Sequence, residues 1–291
     1  MNKSLYAILF IVITLLKTQN RVSQDPYIFG DSFRNICRFI LDDESNFDPT
    51  QVKHGDLIFV QLNYLEQFFA HYHPHITEKY ILISHNHDLP APKKFKQFLE
   101  DKKLFAWFTQ NADYIHPKVF PIPIGLLNLF HGFSLGHLQL LEKARTHYPY
   151  TKNILCYANF TIETNKVERG HLAHLFTNTS WICWDKKINY SSFINRVTHA
   201  KFVLSPHGAG LDCHRTWEIL YLGSYPIVKS STLDQLYDQL PVFIVNKWEE
   251  LTQELLEKKY AEMATKKYSY EKLTYDYWHN LIRKVQDECR H

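Results

Sequence analysis

Apolar residues in this chain collect into short runs separated by segments of helical periodicity. In the first half, DLIFVQL (56–62), KYILIS (79–84), LFAWFT (104–109) and KVFPIPI (118–124) have the length and β-branched or aromatic content of buried strands. Between them, 64–73 places Leu65, Phe68, Phe69 and Tyr72 on one helical stripe, and 92–100 repeats the helical pattern. The spacing predicts a four-stranded parallel sheet, preceded by a polar, turn-rich segment up to Gly55. The pattern loosens between about 131 and 151, where the inter-domain linker is expected.

The alternation then resumes. Strands are predicted over 152–160, 181–184, 201–204, 225–228 and 241–246, and helices over 164–176, with Thr164 as its cap, and over 191–200. From Trp248 onward the chain is rich in Lys, Glu and Tyr and reads as terminal helices. Two βα-alternating halves predict a doubly wound α/β architecture with domains over 21–145 and 146–291.

Composition narrows the class. A chain of 291 residues with 45% hydrophobic and 15% aromatic residues buries a substantial core. A formal charge of +3 excludes nucleic-acid binding driven by bulk charge. The five cysteines are widely spaced with no CxxC pair, so neither a zinc ribbon nor a dense disulfide framework is signalled; one or two bridges stay open. Lys3 precedes an apolar run over 5–16, interrupted by Thr14 alone. That pattern predicts a secretory signal or short retained anchor over 1–20, with membrane association through the N-terminus and a destination in the secretory pathway or cell envelope. Asn159, Asn178 and Asn189 open glycosylation sequons.

The most informative stretch is 201–228: an apolar run, a loop containing Pro206, Gly208 and Gly210, a helical segment, then a second apolar run after Gly223. Such a strand–loop–helix–strand unit presents free backbone N–H donors to an anion at the helix start. Arg215 and Glu218 stand three residues apart on one helix face, which suits a nucleotide: Arg for the diphosphate, Glu for the ribose hydroxyls. The plainer alternative, turn glycines and a surface ion pair, stays open at this level. Arg169 lies in the first turn after a predicted strand and so reaches the crevice where α/β sheets bind ligands. The stretch ISHNHD (83–88) puts His85, His87 and Asp88 at a strand end, as candidates for a general base.

Pro206, Gly208, Leu211, Arg215, Glu218, Leu220, Gly223, Pro226 and Val228 follow the spacing of the donor-binding motif of the exostosin-type glycosyltransferases, glycosyltransferase family 47, which this chain resembles. WFTQN (107–111) and PIPIG (121–125) resemble small members of that family. The resemblance implies a GT-B-like fold, two Rossmann-like domains facing a cleft, with C-terminal helices. It implies a donor site of Arg169, Ser205, His207, Gly208, Gly210, Arg215 and Glu218, with His207 standing where relatives often carry Arg. The expected reaction moves a sugar from a nucleotide-sugar donor, a UDP-sugar, to a glycan hydroxyl with inversion. Asp88 or His85 would take the acceptor proton, and no metal or other cofactor is obligatory.

Two alternatives belong to other classes. The His-x-His-Asp run is similar to the metal motif of metallo-β-lactamase-type hydrolases, although Asp88 falls one position early and Leu89 and Pro90 occupy the end of the motif. A metal-dependent hydrolase would use His85 and His87, with His71, His73 and His75 as further ligands. The other alternative is a non-catalytic sugar-nucleotide-binding protein.

Overall fold

The computed structural model describes Arg21 and residues 24–129 and 133–291; the signal-like segment 1–20 lies outside them. Among the described residues no helix is long and apolar enough to cross a membrane. Ten strands form two parallel sheets of five.

The first sheet runs β1 (Phe39–Leu41), β2 (Asp56–Gln61), β3 (Tyr80–His85), β4 (Leu104–Thr109), β5 (Val119–Pro121), in that spatial order. Its middle strands are almost wholly buried, as expected of a parallel sheet covered on both faces. The sheet has five strands where the apolar pattern predicts four. β1 is only three residues long and lies in the polar, turn-rich segment, yet it pairs in register with β2 from Phe39 opposite Ile58. β5 is shorter than its apolar run because Pro121 and Pro123 cannot donate to a ladder.

The stripe at 64–73 is not one helix. The chain winds through 3-10, α and π turns between Leu62 and His75, and Pro74 sits in the last of them. This winding brings the consecutive Phe68 and Phe69 both inside, where Phe69 stacks on Phe98 at 4.2 Å and packs against Trp107. Core packing thus overrides the helical period.

In the second sheet the order is β10 (Phe243–Val245), β9 (Tyr225–Lys229), β8 (Ala200–Leu204), β6 (Ile154–Ala158), β7 (Ile182–Trp184). From β6 the chain adds β7 on one side, then crosses to add β8 on the other. The direction of winding therefore reverses between β6 and β8, and the strand ends splay there into a crevice. The first sheet, with strictly sequential order, has no such reversal.

The helices are α1 (Gly30–Asn35), α2 (Leu135–Thr146), α3 (Lys166–Phe176), α4 (Tyr190–His199), α5 (His214–Tyr221), α6 (Gln253–Ala264) and α7 (Tyr275–Arg290). Asn165, not Thr164, caps α3 by accepting from the Glu168 amide. The Thr164 hydroxyl is engaged elsewhere, accepting from Arg169 and donating to the Thr161 carbonyl. α7 crosses back to the first sheet: Tyr275 donates to the Ser32 carbonyl and Gln286 to that of Gly55. Trp278 is buried with its Nε1 donating to the Lys272 carbonyl, so it is a packing residue. All five thiols are free.

The two sheets are joined at the cleft by Asp212. Its buried carboxylate accepts from the Ile124 amide at 2.8 Å, the Cys213 amide at 2.8 Å and Trp217 Nε1 at 2.9 Å. Its own amide donates to Asn111 Oδ1 at 2.8 Å, and Asn111 Nδ2 donates to the Asp88 carbonyl at 3.1 Å. A Cβ at Gly210 would lie 2.5 Å from Asn111 Nδ2, so only glycine lets the loop approach this closely.

Removing the Asp212 carboxylate orphans four donors, because the buried Tyr237 hydroxyl also donates to it at 3.3 Å. Asp212→Ala is therefore expected to lower unfolding stability by about 3 kcal/mol or more, read by denaturant titration. Burial also pushes this carboxyl up to about 6. A raised folded-state pKa adds stability below the unfolded value and loses it as pH rises through the folded one. Relative to Asp212→Asn, the wild type should gain up to about 3 kcal/mol as pH falls from about 6 to about 4. A pH-independent difference between the two proteins would contradict this.

Candidate functional site

A cleft of about 540 Å³ opens between the sheets at the C-terminal ends of β6 and β8, the reversal point of the second sheet. The β6 side contributes Asn159, Thr161 and Arg169; the β8 side contributes Gly208, Arg215 and Glu218.

Arg169 spends its donors on the protein. Nε donates to the His207 carbonyl at 2.9 Å, Nη1 to Thr161 O and Thr164 Oγ1, and Nη2 to Pro206 O at 3.2 Å and Cys213 Sγ at 3.7 Å. It staples the glycine loop to the end of β6. No acidic side chain is among these partners, so its charge stays uncompensated there.

Arg215 is the opposite case. Its Nε is buried without a hydrogen-bond partner, and no carboxylate lies within salt-bridge distance among the described residues. Burial, and then the neighbouring Arg169 charge, push its guanidinium below the usual range. Glu218, one turn along α5, is pushed up by burial while Arg215 pulls the other way. The Tyr190 phenol beside it is buried without a hydrogen-bond partner, and Glu218 and Tyr190 both border the cleft. Cys213, at the N-cap of α5, offers no side-chain cap to the first-turn amides. An uncapped helix start, an arginine whose buried Nε has no partner and a second cation together form a site suited to an anion.

Most residues predicted for the site converge here: Arg169, Gly208, Gly210, Arg215, Glu218 and Asp88 all border the cleft. Two of the predicted donor residues do not. Ser205 is buried, with its hydroxyl on Thr216 Oγ1 at 2.9 Å and its amide in the sheet ladder to Ile227. His207 pairs with Glu168, Nδ1 to Oε2 at 3.2 Å, and does not border the cleft. Both therefore hold the loop and do not face a ligand.

A second pocket of about 290 Å³ adjoins the first on the side of the first sheet. Four amide side chains line it: Gln61, Asn86, Gln110 and Asn128. His85 stands in its wall with both ring nitrogens occupied. Pro123 O, 3.0 Å from Nε2, can only accept, so Nε2 carries the proton, and Nδ1 accepts from the Asn86 amide at 2.7 Å. The predicted base His85 thus has no free lone pair to offer. Asp88 and His214 border both pockets, and the Asp88 side chain is exposed.

The histidines do not assemble a metal site: no group of three His, Cys, Asp or Glu side chains with ligand geometry occurs among the described residues. His71, His75 and His87 are exposed, and His73 is buried against Tyr80 and Asp101. His85 and His87 are thus not joined by a third ligand among the described residues.

No protein-family model and no curated protein sequence matches this chain. The exostosin resemblance thus rests on its motif residues. Among solved structures, a UDP-GlcNAc 2-epimerase from Methanocaldococcus jannaschii is similar at 12% identity, over 80% of this chain and 77% of that one, with a TM-score of 0.37. At that level nothing about this chain's chemistry follows from it.

Several residues of the site escape sequence reasoning. Asp212, Tyr190 and the amides of the second pocket carry no spacing signal. Asn159 reads as a sequon, yet its amide donates to the carbonyls of Asp185 and Lys186 at the cleft edge.

A desolvated cation without a partner destabilises the empty protein. Arg215→Met should therefore raise the unfolding stability of the unliganded protein by about 1 kcal/mol, read by denaturant titration. A destabilised variant would contradict the reading of Arg215 as an uncompensated charge.

Proposed function

We propose that this chain is an exostosin-like glycosyltransferase that moves a sugar from a UDP-sugar to a glycan hydroxyl with inversion. The observation that carries the reading is Arg215: a half-buried arginine whose buried Nε has no hydrogen-bond partner, at the uncapped start of α5, with Glu218 one turn on. Diphosphate oxygens accept from Arg215 and the first-turn amides, and the Arg169 charge adds to the field. These cations stabilise the leaving group as its charge develops, so the reading requires no metal. Glu218 accepts from the ribose hydroxyls. The acceptor sugar occupies the amide-lined pocket, where side-chain amides match hydroxyls as both donors and acceptors. Its reacting hydroxyl points to the wall shared by the two pockets. Residues 1–20 are proposed to export the protein, as a cleaved signal or a short anchor.

The test is a thermal-shift panel of UDP and UDP-sugars on wild type, Arg215→Ala and Glu218→Ala, with and without EDTA. Binding to the native state at a hundredfold excess over Kd stabilises by about 2.7 kcal/mol. The reading expects a wild-type shift that survives EDTA and is lost in both variants. No shift with any UDP compound, or a shift unchanged in Arg215→Ala, would overturn it. Binding without UDP release from any donor would leave the non-catalytic binding protein.

A further inference from the structure

A transferase of this kind needs a base on the acceptor side, opposite the leaving group, and the sequence candidates serve this poorly. His85 has no lone pair free, and Asp88 is exposed at the rim, its residue held through a backbone carbonyl. A third group stands on the same wall. His214, the first residue of α5, borders both pockets, whereas its neighbour Arg215 borders only the larger one. Its Nδ1 lies 2.8 Å from the Gly125 carbonyl oxygen of the first domain. That oxygen can only accept, so Nδ1 carries the proton and Nε2 presents its lone pair. Nε2 makes no hydrogen bond to a described residue, and the half-buried ring lies between the two spaces.

We propose that His214 is the general base, a reading that rests on the transferase function proposed above. As the acceptor oxygen bonds to the anomeric carbon, its proton passes to Nε2. The anomeric carbon–oxygen bond breaks, and the nucleoside diphosphate leaves with the electron pair onto Arg215. The imidazolium afterwards returns its proton to solvent. Placing base and leaving-group cation at consecutive positions of one helix start fixes their separation, with the anomeric carbon between them.

The electrostatics agree with this role. Burial pushes His214 down to about 4, with His85 pulling the same way and Asp88 opposing, so the ring is neutral near pH 7. The arriving diphosphate is an anion and favours the protonated ring. Donor binding therefore strengthens the base where it is needed.

The experiment compares wild type, His214→Ala, His214→Gln and Asp88→Asn. UDP binding is measured by calorimetry, and UDP release is measured with a panel of UDP-hexoses, UDP-pentoses and UDP-hexuronates and mixed oligosaccharide acceptors. His214→Gln keeps an N–H donor for Gly125, which guards against a folding artefact. The expected result is a loss of UDP release of about 10²–10⁴-fold in both His214 variants. UDP affinity should stay within about threefold of wild type, and added imidazole should restore part of the activity of His214→Ala. Release retained in His214→Gln, or abolished only in Asp88→Asn, would overturn the assignment. So would loss of binding and release together without imidazole rescue, which marks a structural role. A wild type that neither binds nor releases UDP would instead remove the transferase reading itself.

Discussion

The cleft depends on one buried carboxylate. Asp212 gathers the Ile124 amide beyond β5, an amide from its own loop, the Trp217 indole and the Tyr237 hydroxyl, while its backbone reaches Asn111 on the other side. A carboxylate buried this deeply persists only because its oxygens are occupied by donors. Its partners lie on both sides of the cleft, so the glycine loop and the end of β4 are held in one geometry. Gly210 against Asn111 and His214 on the Gly125 carbonyl depend on the same junction.

Two further constraints follow from that geometry. The reversal of winding between β6 and β8 opens a crevice at the strand ends, and the chain places two arginines, Arg169 and Arg215, along it with Glu218 and Asp88. Arg169 consumes its hydrogen bonds on the loop, which leaves Arg215 as the guanidinium with capacity to spare. Two neighbouring cations, one with a buried Nε that has no partner, are costly to the protein alone. Under the proposed function, a bound diphosphate would relieve that cost.

Much of this was legible in the sequence, for particular reasons. Gly208, Gly210, Arg215 and Glu218 share one continuous strand–loop–helix unit, where spacing along the chain maps directly onto position in space. Arg169 was legible as a cation at a strand end, but its role as a loop staple depends on carbonyls that no side-chain pattern encodes. Ser205 and His207 lie in the same loop yet face away, because sequence locates a loop residue without giving the direction of its side chain. His85 sits where expected, but the backbone amide of Asn86 donates to Nδ1 and takes the lone pair that a base would need. In the fold, β1 escaped because three residues carry too little periodicity to read, and the 64–73 stripe misled because adjacent phenylalanines both bury by changing the winding.

The central claim is that the start of α5 with Arg215 is an anion site for a nucleotide diphosphate. A crystal structure of the protein with UDP tests this most directly. The account predicts the diphosphate on Arg215 and the first-turn amides of α5, with the ribose hydroxyls on Glu218. UDP bound elsewhere, or a diphosphate that leaves Arg215 without a contact, would contradict it.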